Sequence, residues 1–510
     1  MIKFLSFRNN PIDMRENSII IKIRKVVKIL SFRKKEVYML IGRKNEIKKL
    51  NDCYSSDESS FVAIYGRRGV GKTYLIKNVF ENRFTFRHVG IYKGTTQEQL
   101  HSFSSSLKEY GLTNFETPQN WFEAFDLLKE LIKYKNNTDK KVIFLDEISW
   151  IYTQGSDFIK AFEHFYNSWC TGRNDILLII CSSITSWIMK KIIHNKGGLY
   201  NRLTEQIYLR PFSLNECEEF SIANKLSLTK KQIIEIYMII GGIPYYWTFY
   251  KKGNSVPQFI DNTFFVDKAP LENEFKYLFS SLFNSPKDYL KIVDSLSTKN
   301  IGLTRKQILS STKIKDTGLF SSKLEELIDC DFVRRYSTYG QKKREIIYQL
   351  TDPFLIFYYH FLKNKQNIDY FWEEQINNPA INSWKGIAFE RICFAHSYNI
   401  KKALGISGVL TSIYPWSVSK DLDKGIFGSQ VDMVIERKDE IINLVEIKFC
   451  SGPYVITSKY FNELEKKKND FITATKTNSS IHLTFITLNG VQENTYSKEI
   501  QSFISAIDLF

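Results

Sequence analysis

Hydrophobic and polar positions change period several times along this chain. Val62 to Tyr65 is an apolar run that stops at Gly66 and, after a glycine-rich loop, gives way to a helical pattern at Tyr74-Leu75-Ile76-Lys77. An apolar run bounded by glycine reads as a buried strand. The same pattern recurs at Lys141–Leu145 and Asp175–Ser183. Ile41-Gly42-Arg43 leads into a helix with Leu50 on its apolar face. Further on, Thr304–Ser311 and Gly318–Cys330 predict two helices. Asp331–Tyr336 and Glu345–Leu350 predict two strands around a Gly- and Lys-rich turn, and Asp352–Tyr359 has the aromatic spacing of a core helix. Gln430–Glu436 and Ile441–Phe449 are β-patterned, and Arg437 to Glu440 between them predicts a hairpin. The chain is expected to be an α/β multidomain protein.

At 510 residues it is too long for a single core. A hydrophobic content of 43%, with 15% aromatic, is enough for several packed domains. The net charge of +16 suggests a polyanionic partner such as nucleic acid, although abundant Lys, Asn and Ile spread part of that excess thinly. The seven cysteines form no C-x-x-C pair and no cluster with histidine, which predicts reduced, structural thiols and a cytoplasmic location. No apolar run is long enough to cross a bilayer, so no membrane association is expected. The apolar stretch Ile19 to Leu30 is broken by Lys22, Arg24, Lys25 and Lys28, unlike a signal peptide. Residues 1–38 read as a basic extension or a nucleic-acid-binding arm, with Met39 as an alternative start.

The first candidate chemistry is Gly66-Arg67-Arg68-Gly69-Val70-Gly71-Lys72-Thr73, a G-x-x-x-x-G-K-T loop between strand and helix. Gly66, Arg68, Gly69 and Gly71 would wrap a triphosphate with backbone N–H groups at a helix amino end. Lys72 would reach the β/γ-phosphates and Thr73 would ligate Mg²⁺. The strand ending Leu145-Asp146-Glu147 supplies the complementary acids: Asp146 for Mg²⁺ and Glu147 to activate water. Ser182 or Ser183 reads equally as a γ-phosphate sensor or as a helix N-cap. Arg202 reads as a transition-state arginine, in cis or across a subunit boundary, or as a plain surface residue.

Together these segments resemble the AAA+-related archaeal and bacterial ATPases of the STAND/MNS type over roughly residues 39–290. The resemblance adds Leu199 to Thr204 with Arg202, then Pro211-Phe212, and Gly241-Gly242-Ile243-Pro244 as the signature of a helical lid. It implies ATP bound between core and lid, and a homo-oligomer formed through the ATPase domain. The order helix–helix–hairpin after residue 286 is similar to a winged helix, in which Arg334, Arg335, Lys342, Lys343 and Arg344 would meet DNA phosphates. A winged helix used only for packing or autoinhibition fits the same pattern.

The second candidate site lies in the C-terminal hairpin. Folding it brings Asp432 and Glu446 within about one residue of register, with Lys448 on the same face as Glu446. Carboxylates so placed repel each other, and Mg²⁺ would satisfy both while activating water against a phosphodiester. Lys448 would position that water or steady developing charge. The spacing resembles the D…E-x-K motif of PD-(D/E)XK nucleases, although Val431 replaces the usual proline. That resemblance implies a supporting role for Glu390, which Trp384 to Glu390 supplies on a preceding helix.

The expected organisation is a basic extension (1–38), a P-loop ATPase core (39–210), a helical lid (211–285), a winged-helix-like domain (286–362) and a nuclease-like α/β domain (372–510). The expected activity is ATP hydrolysis coupled to DNA cleavage. The alternative is a nucleotide-driven switch that binds DNA or protein without cutting. A helicase-like motor is disfavoured because no second set of motor motifs is visible.

Overall fold

Strands β1 (Ser60–Tyr65), β2 (Phe84–Val89), β3 (Lys141–Asp146), β4 (Ile176–Ser182) and β5 (Glu205–Tyr208) pair in parallel in the order β2-β3-β4-β1-β5. The structure, a computed structural model, describes residues 40–135, 139–283, 285–337, 346–365, 370–376 and 378–510. The expected N-terminal extension, Met39, and the wing residues Lys342, Lys343 and Arg344 lie outside the described residues.

The continuous apolar runs of β1, β3 and β4 follow from burial on both faces of a parallel sheet. One face is covered by the helices Thr96–Glu109 and Trp121–Tyr134. In the second helix Trp121, Ala124, Phe125, Leu128, Leu131 and Ile132 recur at three- and four-residue spacing, and all are buried. Truncating a ring such as Phe125 to alanine would cost about 3–5 kcal/mol. β4 lies between β1 and β3, so the segments leaving all three strands meet at the carboxyl edge of the sheet, the usual ligand-binding edge of α/β folds.

The helices Leu214–Ala223, Lys230–Ile240 and Pro244–Trp247 follow the sheet. Gly242 touches the main chain just beyond β5. Phe212 N–H donates to its carbonyl at 2.6 Å. A Cβ at Gly242 would stand 1.9 Å from the Phe212 carbonyl oxygen. No side chain fits there.

The middle segment contains the helices Lys287–Ser297, Arg305–Thr312 and Gly318–Asp329, with a short strand β6 (Leu303–Thr304) that the apolar pattern did not predict. β7 (Val333–Ser337) and β8 (Ile346–Leu350) form an antiparallel pair, and β6 joins β8. The C-terminal sheet comprises β9 (Thr411–Val418), β10 (Ser429–Arg437), β11 (Ile441–Lys448), β12 (Ser480–Thr487) and β13 (Ser502–Ser505), ordered β13-β12-β11-β10-β9. The hairpin forms at the expected place, with Glu440 in the left-handed region (φ 65°) at its turn. β12 runs parallel to β11, which requires a crossover, supplied by the helix Ser458–Thr475. Ile41 to Phe510 form one compact unit.

Candidate functional site

The glycine loop has the backbone its sequence demands. Gly66, Gly69 and Gly71 take φ values of 142°, 85° and 92°, which disfavour any side chain. Gly71 caps the helix Lys72–Val79, whose first N–H groups lack helical acceptors and can serve an anion. Lys72 Nζ is folded over the loop and donates to the carbonyls of Gly66 (2.8 Å) and Arg67 (3.1 Å). Arg68 stands exposed at its lip. Thr73 Oγ1 donates to Asp146 Oδ1 at 3.0 Å, so a hydroxyl and a carboxylate oxygen converge as a Mg²⁺ site requires. Burial raises the Asp146 carboxyl, against the lowering effects of the Thr73 bond and the Arg87 charge.

Glu147 follows directly, in the left-handed region (φ 49°). Burial raises its carboxyl too, and the Lys72 charge pulls it back. Ser183 N–H and Oγ both donate to Glu147 Oε2 at 2.9 Å. Ser182 instead donates to Ser149 Oγ (2.8 Å) and accepts from Ile184 N–H (3.0 Å). The two serines therefore divide the work: Ser182 closes the loop and Ser183 holds the acid.

Arg202 is not brought to this site. It is exposed, and it precedes β5, where Glu205 pairs with Val62 near the amino end of β1. The loop leaves the other end of β1, at least about 13 Å away by strand rise. A role toward its own chain's P-loop is therefore corrected.

Arg43 Nη2 donates to the Arg210 carbonyl (2.8 Å), and its guanidinium lies over Phe212, 4.9 Å from the ring centre. Tyr245 N–H donates to the Gly69 carbonyl (3.2 Å). Ile41-Gly42-Arg43, Pro211-Phe212 and Gly241 to Pro244 thus meet around one loop.

The second cluster is built on β10 and β11. Met433 pairs with Val445, so the next position carries Asp432 on one strand and Glu446 on the other. Lys448 Nζ lies 3.0 Å from Glu446 Oε2 and 3.6 Å from Asp432 Oδ2, and Asp432 Oδ2 also accepts from Ile447 N–H at 2.9 Å. The ammonium occupies the place of a cation shared by two acids. Glu446, only 2% exposed, also accepts from Lys467 Nζ at 2.7 Å and Tyr460 OH at 2.6 Å. Burial would raise Glu446, but Lys448 and Lys467 outweigh it and hold the carboxyl below its ordinary value. Burial and the Glu446 charge push Asp432 the other way. Glu390, on the helix Pro379–Ala395, is raised to about 7 by burial and then by the Asp432 charge. Two carboxylates with water suffice for Mg²⁺. Among the described residues, no group of three or more His, Cys, Asp or Glu side chains has metal-holding geometry.

Sequence reasoning missed Tyr460 and Lys467. They stand seven residues apart on one helix, the spacing of a common face, and that spacing was the available signal. It also missed Arg67. This loop residue is 3% exposed, forms a buried ion pair with Asp352, and lies over the Phe332 ring at 5.0 Å. Arg334 needs correction as a phosphate contact. It is half-buried over Phe394, 3.8 Å from the ring centre, and donates to Gln349 Oε1 at 2.6 Å. Burial and then the nearby Arg391 charge lower its guanidinium to about 9. Arg335 remains exposed, paired with Glu325 at 2.6 Å.

Residues 40–248 match the family model of an ATPase domain predominantly from Archaea. This part of the chain is a P-loop ATPase-type domain. The chain is 24% identical to an uncharacterised protein of Methanocaldococcus jannaschii over 437 residues, 84% of this chain and 92% of that one. A 47-residue stretch is 38% identical to an uncharacterised ATP-binding protein of the same organism, covering 9% of this chain and 80% of the relative. Among solved structures, the Walker-type ATPase of Pyrococcus abyssi is similar at 17% identity and a TM-score of 0.48, covering 63% of this chain and 96% of that one. The ORC2 protein of Aeropyrum pernix has 14% identity and a TM-score of 0.38, covering 63% and 93%. Among the described residues no helix is long and apolar enough to cross a membrane. All seven cysteines are free, and six are buried.

Proposed function

We propose that the chain hydrolyses ATP and couples its nucleotide state to metal-dependent cleavage of DNA at the C-terminal acidic cluster. In the ATPase half, Lys72 would leave the Gly66 and Arg67 carbonyls for the phosphates, Thr73 and Asp146 would hold Mg²⁺, and Glu147 would orient the attacking water. In the C-terminal half, Asp432 and Glu446 would hold Mg²⁺, which supplies Lewis acidity and an activated water at a phosphodiester. Lys448 steadies the charge that develops on the phosphate. Glu390, with a carboxyl near neutrality, suits proton transfer. The exposed position of Arg202 suits a homo-oligomer in which it serves a neighbouring subunit.

The observation that carries the nuclease reading is the Lys448 ammonium standing between Asp432 and Glu446. The test is Mg²⁺- or Mn²⁺-dependent cleavage of plasmid and single-stranded DNA, with and without ATP, by wild type and Asp432→Asn. Cleavage that falls at least about a hundredfold in the variant while ATP turnover persists supports the reading. Intact ATP turnover with no cleavage by wild type overturns it. The regulatory-switch reading would then take its place, favoured by the engagement of Arg334 with Phe394 and Gln349 inside the chain.

A further inference from the structure

A short bridge of ion-pair, ring and hydrogen-bond contacts links the ATPase loop to the acidic cluster. At one end, the P-loop residue Arg67 touches the residues that flank the β7–β8 pair. It lies over Phe332, which precedes β7, and pairs with Asp352, two residues beyond β8. Asp352 is itself fixed, because its Oδ1 accepts from Leu355 N–H at 2.8 Å. The first rung of the pair is Val333 with Leu350, and the second is Arg334 with Gln349.

The second rung holds the other end. Gln349 accepts from Arg334 and donates to the Asn300 carbonyl. That same carbonyl accepts from Arg391, the residue next to Glu390. Arg334 lies over Phe394, one helical turn further along the same helix. Burial lowers the Arg391 guanidinium to about 10, with Glu390 opposing. A single rung therefore separates the contacts of the P-loop from those of the helix that carries Glu390.

We propose that this bridge is a relay, in which nucleotide at the P-loop shifts the helix Pro379–Ala395 and with it Glu390. The inference rests on the ATPase reading and on the acidic cluster being a site. A ligand shifts an equilibrium only through contacts that differ between states. Such a difference exists at Arg67. Its carbonyl accepts from Lys72 Nζ here and gives up that bond when Lys72 turns to phosphate. Coupling of this kind acts equally in both directions, so occupancy of the acidic cluster alters nucleotide affinity by the same factor. Arg391 and Gln349 are positioning residues. Both donate to the Asn300 carbonyl.

The test is hydrogen–deuterium exchange of the full chain with and without Mg²⁺ and a non-hydrolysable ATP analogue, in wild type and Gln349→Leu. The substitution keeps volume while removing both side-chain bonds of the second rung. In wild type, nucleotide is expected to change exchange within residues 379–395 by about fivefold or more, the lower end of ordinary coupling. In Gln349→Leu that change is lost while the helix Lys72–Val79 remains protected by nucleotide. Unchanged exchange at 379–395 in wild type, with 72–79 protected, overturns the relay even if the variant fails to fold. A response that persists in the folded variant overturns it equally. The readout needs no DNA cleavage, so failure of the nuclease reading and failure of the relay are told apart.

Discussion

Ser183 gives both its backbone N–H and its hydroxyl to one oxygen of Glu147, each at 2.9 Å. Each bond to a charged group is worth about 1.5–3 kcal/mol. Removing the hydroxyl in Ser183→Ala leaves the acid held by the backbone alone. ATP turnover is expected to fall roughly tenfold, while calorimetric affinity for ATP changes less than about twofold. Glu147→Gln should cost about a hundredfold or more in turnover with affinity retained. Turnover unchanged in both variants would remove Glu147 from the reaction.

The acidic cluster makes stability depend on pH. Glu390 in the folded chain has a carboxyl near 7, above its ordinary 4.5. Between those values the folded state binds more protons than the unfolded one, so this group's contribution to stability falls as pH rises through the window. Glu390→Gln is expected to flatten the Tm profile between pH 4.5 and 7. Without divalent metal it should raise Tm at pH 8 by on the order of a few degrees, read by calorimetry. A variant profile parallel to wild type would show that Glu390 titrates normally.

Lys467 competes with any metal for Glu446. Its ammonium lies 2.7 Å from Oε1, and Lys448 and Tyr460 occupy Oε2. Lys467→Met removes one charge-assisted bond of about 1.5 kcal/mol, so Mn²⁺ binding measured by titration calorimetry is expected to tighten about tenfold. Weakened binding would show instead that Lys467 orients Glu446 toward the metal.

Arg334→Ala tests packing against recognition. The variant loses the Phe394 contact and the bond to Gln349, and should unfold about 2–3 kcal/mol more easily in denaturant. Its affinity for plasmid DNA at fixed salt should stay within about twofold of wild type. Weaker DNA binding with intact stability would return Arg334 to the surface.

The parts of both sites that lie close together in sequence were legible from it. Gly66 to Thr73 states its own geometry, because glycines at fixed spacing demand the backbone observed. The Asp432–Glu446 pairing followed from period-two alternation across a short turn. Contacts made across long separations were not legible. Ser183 and Glu147 lie on segments whose order in the sheet no local pattern reveals. Arg334 carried the charge of a DNA contact, and only the docking of a helix 60 residues later turned that charge inward. Arg202 had the right neighbours in sequence and the wrong end of β1 in space.

Gly242 fixes how closely two main-chain segments approach. Its backbone rests on that of Phe212 with no room for even a methyl group. One added carbon there would push Phe212 away, and with it the ring over which the Arg43 guanidinium lies. A change too small to alter charge or polarity would thus be felt at a cation on a distant stretch of the chain.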